Sequence, residues 1–308
     1  MSWNRDSLWA KACVFMERAF QESKEDPLFG LWAALALELL ARSAVSNVNP
    51  TLLAKPDSEH KYLLHALGRG SERTPRLSLG SVEVLNLCQT LVDKFTEDDK
   101  KLCNALINRR NEELHSGSSA FEEYPSAQWL SGFYRACKIL CESQNKTLED
   151  LIGTEEAKIA LQTLIGKRTE IEAVVKSKIA AHKKVFESKP EEDRTSAILN
   201  AEKTASELSW KGAHKTKCPA CGCSASFTGI AYGKEQVTHA DGEIVVRQPV
   251  SPRTFSCSAC SLTLASYAEL DVCGLGGRYS KRSHYSPEDY YGMVVPEDDV
   301  PDVEYNNE

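Results

Sequence analysis

Three absences in this 308-residue sequence narrow the kind of protein it encodes. The N-terminus, MSWNRDSLWAK, carries charges where a signal peptide needs an apolar run, so secretion is not indicated. No long apolar run is free of charge, because Glu38 and Arg42 interrupt the most apolar stretch, at 28–45. That stretch is expected to be too short to span a bilayer and to form a buried core helix. The chain is therefore predicted to be cytoplasmic, with no membrane contact.

Positive charge is also scarce. The chain has 37 lysines and arginines against 44 acidic residues, and its formal net charge is -7. So acidic a protein is not a general nucleic-acid coat, and any contact with RNA needs a local basic surface. No lysine or arginine follows residue 283, so 283–308 is predicted to be an acidic, largely disordered tail. Within it, Ser286 is expected to cap a short helix that begins at Pro287.

Helical patterning occupies the first two thirds of the chain. From 1 to 152, apolar residues recur at helical spacing, interrupted by a loop-rich segment at 49–80, which predicts a bundle of four or five helices. Thr96 and Asp99 form a predicted capping box at the start of one of them.

The remainder predicts three further segments. Residues 153–211 are charged and helical and are predicted to form a helical arm broken at Pro190. From 212 to 282, glycines and β-formers predict short strands, among them EIVVRQ and TFSCSAC. The fold class is therefore mainly α, with an N-terminal helical bundle, a long helical arm and a small β-rich C-terminal module.

The eleven cysteines divide into two sets. One set lies in helical, apolar surroundings and is interpreted as buried thiols: Cys13, Cys88, Cys103, Cys137 and Cys141. In the other set, two Cys-x2-Cys pairs have the arrangement that a tetrahedral structural zinc needs. The predicted ligands are Cys218, Cys221, Cys257 and Cys260. Free thiols or redox-active pairs are the alternatives.

The β-rich module resembles a zinc ribbon. Gly222 suits a tight turn after the second ligand, and the metal would supply much of the folding energy of so small a module. Cys223 and Cys273 are left over, and His214 and His239 are poorer ligands because four sulfurs already complete the site. No open coordination position is indicated, so the zinc is predicted to be structural.

The stretch RRNEELHSG, at 109–117, groups an arginine, an amide and a histidine near a helix end. Arg110 and His115 are five residues apart, about 140° around a continuous helix, and converge only if the helix ends near the histidine. Gly117 and the small residues beside it are expected to allow that ending. A guanidinium can stabilise charge on a phosphate, and a histidine can move protons while an RNA 2′-hydroxyl attacks the adjacent phosphorus. This chemistry needs no metal, and a second copy across a two-fold axis would supply more groups.

The run Arg110-Asn111-Glu112-Glu113-Leu114-His115 resembles the motif of the HEPN superfamily, in which an arginine and a polar residue precede a histidine. The resemblance covers about residues 1–150. It implies a metal-independent endoribonuclease that dimerises through its helical bundle, with a role in phage defence, toxin systems or RNA processing. It also implies that Arg110 and His115 carry catalysis and that Asn111 orients the site. The loop-rich insert and the zinc module lie outside the family pattern, and some members are inactive.

Two other interpretations are open. Arg110 could pair with Glu112 or Glu113 on a solvated helix face, and His115 could cap the helix. The chain would then be a non-catalytic dimeric adaptor that binds nucleic acid or protein through its ribbon. A zinc-dependent hydrolase is disfavoured because no open metal site rich in histidine and glutamate is present.

Two further predictions concern residues outside the motif. Glu38 is interpreted as the edge of an apolar stripe, not as part of the site. Basic residues near the ribbon are predicted to bind RNA or a protein partner: Lys211, Lys215, Lys217, Arg247 and Arg253.

Overall fold

The computed structural model describes residues 3–71, 76–232, 234–240 and 242–292. The chain divides into two compact units, Met1–Val174 and Val175–Glu308. The first unit is helical, and the second combines helices with a six-stranded antiparallel sheet, so the mainly α fold with a small β part is confirmed. The finer division at 152, 211 and 282 stays a prediction, and residues 293–308 of the predicted tail lie outside the described residues.

The first unit contains seven helices and the start of an eighth among its described residues. They are α1 (Arg5–Gln21), α2 (Pro27–Val48), α3 (Lys61–Ala66), α4 (Ser81–Leu91), α5 (Glu97–His115), α6 (Leu130–Glu142), α7 (Leu148–Ile152) and α8 (Thr154–Glu187). The predicted capping box is present at the start of α5, where Asp99 accepts a hydrogen bond from the backbone N–H of Thr96 at 2.7 Å and Thr96 accepts one in return.

Helix α2 lies at the centre of the bundle and packs against α1, α4, α5 and α6. Small residues on it let its neighbours approach closely: a Cβ added at Gly30 would lie 2.3 Å from a ring carbon of Phe121. Its 22 residues are long and apolar enough to cross a membrane by length and composition, so the expectation that it is too short was wrong. However, 61% of its most apolar stretch of 18 residues is buried inside the structure, as the prediction of a core helix requires.

The second unit contains the end of α8 and nine further elements in the described residues. They are α9 (Glu191–Trp210), β1 (His214–Lys217), β2 (Ser224–Ala231), β3 (Gln236–Ala240), β4 (Glu243–Ser256), β5 (Thr263–Leu264), α10 (Tyr267–Val272), β6 (Tyr279–Tyr285) and α11 (Pro287–Tyr291). The predicted helix at Pro287 is confirmed, because Ser286 accepts a hydrogen bond from the N–H of Asp289 at 3.1 Å.

Strand β4 is the hub of the sheet. The sequence predicts two strands here, but the structure has one strand of 14 residues. Its first half pairs with β3 and β6, and its second half pairs with β2 and β5. Pro252 faces Gly229 of β2, where the register shifts and an added Cβ would lie 2.2 Å from the carbonyl oxygen of Ser251. This irregularity accommodates a proline in a strand that pairs on both sides.

Helix α9 packs against β1 and β2 within the second unit. Its Glu202 accepts hydrogen bonds from Lys215 at β1 and from Ser224 at β2. The last helix of the predicted arm is therefore part of the same compact unit as the β-rich module.

Candidate functional site

Arg110 lies on α5 and forms an ion pair with Glu38 of α2; the two side chains are 15% and 16% exposed. Glu38 also accepts hydrogen bonds from Arg42, one turn further along α2, at 2.8 and 3.1 Å. A third group, the hydroxyl of Ser81 at the start of α4, donates to Glu38 at 2.9 Å. The arginine of the motif is thus held by a polar network that joins three helices.

The network keeps Glu38 ionised. Burial by itself would raise the pKa of Glu38, but the hydrogen bonds and charge of Arg42, the charge of Arg110 and the hydroxyl of Ser81 together hold that pKa below its usual range. Two guanidinium groups thus share one carboxylate. Among these side chains positive charge exceeds negative charge, which favours an anion nearby.

Two polar atoms beside this network lack hydrogen-bond partners among the described residues. They are Nε of Arg110 and Oε2 of Glu113, both buried. A buried polar group without a partner is costly, and such groups usually find a partner in a ligand, water or another chain. The network therefore has unused hydrogen-bonding capacity at the motif.

The other two motif residues are exposed. Asn111 and His115 lie on the last turns of α5, and neither side chain makes a hydrogen bond within the described part of the chain. The helix ends at His115, as expected. The turn itself is made by Ser116, whose backbone N–H and hydroxyl both donate to the carbonyl of Glu112, at 2.9 and 2.7 Å. Gly117 was expected to make it, but the helix has already ended at Ser116.

Within one chain, Arg110 and His115 are not brought together. Because α5 is continuous to His115, the two residues lie about 140° apart around its axis and about 7.5 Å apart along it. Arg110 faces Glu38 on α2, whereas His115 is free to contact another molecule. One chain by itself therefore does not place these two side chains at one site.

Two nearby glutamates pair with Arg109, the residue before Arg110. Arg109 forms ion pairs with Glu112 at 3.3 Å and Glu123 at 3.8 Å, and its guanidinium lies 5.7 Å from the ring centroid of Tyr124. The interpretation in which Arg110 pairs with Glu112 or Glu113 on a solvated face is not what the structure shows.

Sequence reasoning missed Glu38. The signal was available, since Glu38 and Arg42 are four residues apart in an otherwise apolar helix. Charges inside a core helix need partners from other elements. What the sequence did not reveal is that the partner is the motif arginine on α5.

The four predicted metal ligands converge in the second unit. The ligand atoms of Cys218, Cys221, Cys257 and Cys260 all lie within 4.8 Å of one another. The sulfur atoms of Cys218 and Cys260 are 3.6 Å apart, as are those of Cys221 and Cys257, well beyond the disulfide length of about 2.05 Å. A tetrahedral ion with metal–sulfur distances of about 2.3 Å needs sulfurs about 3.8 Å apart. The site can hold one metal ion, and its geometry is compatible with zinc.

The two Cys-x2-Cys pairs adopt the same turn. The N–H of Cys218 donates to the carbonyl of Cys223 at 2.9 Å, and that of Cys257 donates to Leu262 at 3.0 Å, five residues on in each case. The fourth residue after each first cysteine has a positive φ, 72° at Gly222 and 60° at Ser261. The glycine predicted for the first turn is confirmed, and a serine fills the equivalent position in the second.

The four thiols influence one another. Hydrogen bonds from neighbouring thiols, that of Cys218 first, lower the pKa of Cys257 to about 5, while burial raises the pKa of Cys260 to about 12. The cluster thus favours one thiolate without a cation. A divalent ion at its centre would stabilise all four thiolates.

Helix α8 supports the second turn from outside the sulfur cluster. His182 Nδ1 lies 2.7 Å from the carbonyl oxygen of Cys260, which can only accept, so this nitrogen carries the proton. Lys189 donates to the carbonyl of Ala259 at 3.0 Å. These contacts orient the backbone that carries one ligand.

The other candidate ligands stand apart from the cluster. The His214 ring packs against Phe227 and Tyr279 at centroid distances of 4.8 and 4.9 Å, and the His239 ring stacks on Tyr291. Four of the five bundle cysteines are buried, as predicted, and burial raises their pKa values: Cys88, Cys103, Cys137 and Cys141. Cys13 is half-buried.

Comparison of the chain with models of known families, with curated proteins and with solved structures finds no match. The likeness to HEPN proteins therefore remains a resemblance of the motif and its helical setting, and the function has to be argued from the site.

Proposed function

We propose that this chain is a metal-independent endoribonuclease of the HEPN type that works as a cytoplasmic homodimer. The observation that supports it best is the placement of Arg110. Its guanidinium is anchored on Glu38 in a half-buried network, next to the exposed Asn111 and His115 on the last turns of the same helix. An ordered arginine and an accessible histidine are the groups that cleavage of RNA by its own 2′-hydroxyl uses, and a second chain would bring the two groups together.

In the proposed reaction, the 2′-hydroxyl oxygen attacks the adjacent phosphorus and the bond to the 5′-oxygen breaks. The products are a 2′,3′-cyclic phosphate and a 5′-hydroxyl. His115 takes the proton from the 2′-hydroxyl or gives one to the departing oxygen. Arg110 stabilises the added negative charge on the phosphate, and Asn111 orients the substrate. No metal takes part in these steps.

The separation of Arg110 and His115 supports the proposal of a dimer. Two copies of α5 meeting across a two-fold axis would place the arginine of one chain near the histidine of the other. We therefore place the dimer interface on the helical bundle.

The metal in the four-cysteine site is proposed to be zinc, with a structural role. Four thiolates in a tetrahedron suit zinc or iron, and zinc adds no redox chemistry. All four ligands come from the protein, so the site has no position for substrate. Metal analysis distinguishes the two ions, because an iron–thiolate site is coloured and a zinc site is not.

The zinc ribbon is proposed to bind RNA or a partner protein through the basic residues around it. Phage defence and toxin systems are the settings that the HEPN resemblance implies for such an enzyme.

A second candidate is a non-catalytic dimeric adaptor that binds nucleic acid or protein through its ribbon. It is favoured by the ion pair of Arg110 with Glu38, which gives the arginine a structural role without any chemistry.

Incubation of purified protein with total RNA in EDTA separates the two candidates. The wild type should cleave, and His115→Ala should not. Asn108→Ala is the matched control, because Asn108 is exposed on the same helix but lies outside the motif. Products ending in 2′,3′-cyclic phosphate support the proposed chemistry. Equal cleavage by wild type and His115→Ala would assign the activity to another site or to a contaminant.

A further inference from the structure

The end of α9 presents an aromatic ring to solvent. Trp210, its last residue, is 92% exposed, more than any other exposed large hydrophobic residue in the described part of the chain. A large apolar side chain left in water is unfavourable, and exposed tryptophans are frequent at binding sites. Trp210 is therefore a candidate contact for another molecule.

Trp210 borders a cleft formed by the end of α9 and the strand β6, with a volume of about 480 Å³. Lys211, Lys281 and Arg282 are among its lining residues, and so is Tyr285, which has a second ring. The cleft lies wholly within the second unit. It thus combines an open aromatic face with a cluster of positive charge in a chain whose net charge is -7.

These cations lack acidic partners. Lys211, Lys281 and Arg282 form no ion pair with any described residue, whereas Lys178 and Lys215 of the same unit each pair with a glutamate. The fourth basic side chain of the cleft, His284, is paired with Glu243 at 3.0 Å.

The strand register places a second arginine opposite Arg282. Arg282 of β6 stands directly opposite Arg247 of β4. Like charges facing each other across adjacent strands repel, and a bound anion would offset that repulsion. Neither arginine has a carboxylate partner in the described residues.

A glycine shapes the wall of the cleft. Gly212 has φ +94°, a conformation that favours glycine, and an added Cβ would lie 2.5 Å from Cε of Lys281. The absence of a side chain lets Lys281 cross the end of α9 beside Trp210. The local backbone thus brings a lysine and an aromatic ring together.

We propose that this cleft binds a single-stranded polynucleotide, with one base stacked on Trp210 and neighbouring phosphates held by Lys211, Lys281 and Arg282. Stacking on an exposed ring beside backbone-binding cations is how single strands are bound without reading their sequence. A space of about 480 Å³ lies within the size range of sites for small ligands. That the strand is RNA rests on the proposed nuclease function; the stacking and phosphate contacts would serve DNA equally.

The test uses the full-length chain carrying His115→Ala, so that the probe is not cut. Binding of a fluorescein-labelled twelve-nucleotide oligouridine is followed by fluorescence anisotropy over a range of salt concentrations. Trp210→Ala should weaken binding about tenfold, and Trp210→Phe, which keeps a ring, should bind nearly as the parent does. Replacing Lys281 and Arg282 together by alanine should lower the slope of log K against log salt by about 1.4, because two phosphate contacts are lost. Lys203→Ala, an exposed lysine on α9 outside the cleft, is the matched control.

The binding measurements can support or overturn the proposed cleft. Since Trp210 is almost fully exposed, its variants should keep the parent circular dichroism spectrum, so a loss of binding reports on contact. Unchanged affinity in Trp210→Ala overturns the proposal, and so does a duplex that binds as tightly as the single strand. An oligodeoxyuridine that binds equally well supports the cleft, because the recognised chemistry is shared.

The proposed binding cleft and the proposed nuclease activity are tested independently, because either proposal can be wrong while the other holds. Binding that depends on Trp210, together with a wild type that cuts no RNA, keeps the cleft and removes the nuclease. Cleavage that requires His115, together with binding indifferent to Trp210, keeps the nuclease and removes the cleft.

Discussion

Arg110 of α5 is ion-paired with Glu38 of α2, 72 positions earlier in the chain. The pair ties two core helices together at the place where the run Arg110–His115 begins. One arginine thus has a structural role and a proposed chemical role. Experiments on the motif have to separate the two.

Substitution of Arg110 is expected to affect both stability and cleavage. Arg110→Ala leaves Glu38 with Arg42 as its only charged partner, and unfolding in urea should show a loss of about 1–3 kcal/mol. Arg110→Lys retains a positive charge and should recover part of that loss, but cleavage of RNA should stay at least about a hundredfold below wild type, because a lysine lacks the planar fork of donors.

Arg109→Ala is the matched control. Arg109 is a partly exposed neighbour whose ion pairs are local, so its loss should cost less than about 0.5 kcal/mol and leave cleavage intact. Wild-type stability in Arg110→Ala would mean that the ion pair with Glu38 does not contribute to the fold.

The stability contributed by Glu38 should depend on pH. Folding lowers the pKa of this carboxyl, so its contribution is complete above the pKa of the unfolded chain, about 4.3, and is lost as pH falls through the folded-state pKa. Glu38→Gln should therefore be less stable than wild type at pH 7, and the difference in free energy of unfolding should shrink below about pH 4. Urea unfolding at several pH values measures it. A difference that is the same at pH 3 and pH 7 would show that the charge of Glu38 is not what stabilises the network.

Metal removal should affect the second unit and spare the chemistry of the first. A strong thiol-competing chelator should release about one zinc ion per chain, and the sheet around the four cysteines should unfold because the thiolates supply its folding energy. Cys260→Ser should reproduce this effect. Cleavage of RNA in EDTA should persist in Cys260→Ser, with weaker binding. Cleavage that stops in EDTA and returns with magnesium would instead indicate a metal-dependent hydrolase.

The equivalent positions of the two cysteine turns offer a matched pair of variants. Ser261 has a positive φ of 60°, so Ser261→Gly should relieve strain and stabilise the second unit by up to about 1 kcal/mol. Gly222→Ala, at φ 72°, should destabilise it by a similar amount, although an added Cβ there meets no atom within 4 Å. Thermal unfolding of the zinc-loaded protein measures both. The two substitutions should change the stability of the second unit in opposite directions. If both substitutions lower it, the side chain of Ser261 itself contributes to the turn.

Mixing two inactive variants tests the composite site. If Arg110 of one chain works with His115 of the other, a dimer of Arg110→Ala with His115→Ala has one intact site and one doubly altered site. Equal amounts, exchanged and reassociated, should then recover about one quarter of wild-type cleavage. No recovery, with exchange confirmed by mass spectrometry, would place both residues of each site in the same chain. A fully active monomer would contradict the dimer itself.

Local chemistry made much of the fold predictable. Capping by Thr96 and by Ser286 depends on residues a few positions apart, and both caps are present. The four metal ligands were predictable for the same reason, since the Cys-x2-Cys spacing itself sets each turn. In these cases the pattern and the structure involve the same short stretch of chain.

Features that depend on distant residues were harder to predict. Glu38 was taken for the edge of an apolar stripe because its partner Arg110 is remote in sequence. The two strands predicted for β4 are one strand because β2, β3, β5 and β6 all pair with it, and this pairing involves residues remote in sequence. The cleft at Trp210 likewise appears only when β6 is placed beside the end of α9.

The support of the second cysteine turn by α8 implies an order of events during synthesis. The contact from His182 to Cys260 spans 78 positions, and the sulfur pair of Cys218 and Cys260 spans 42. Once Val174 has left the ribosome, the first unit has all its residues. At about 5–20 residues per second, Cys260 follows roughly 4–17 s later. The residues of the first unit can therefore begin to fold before the four-cysteine cluster is complete.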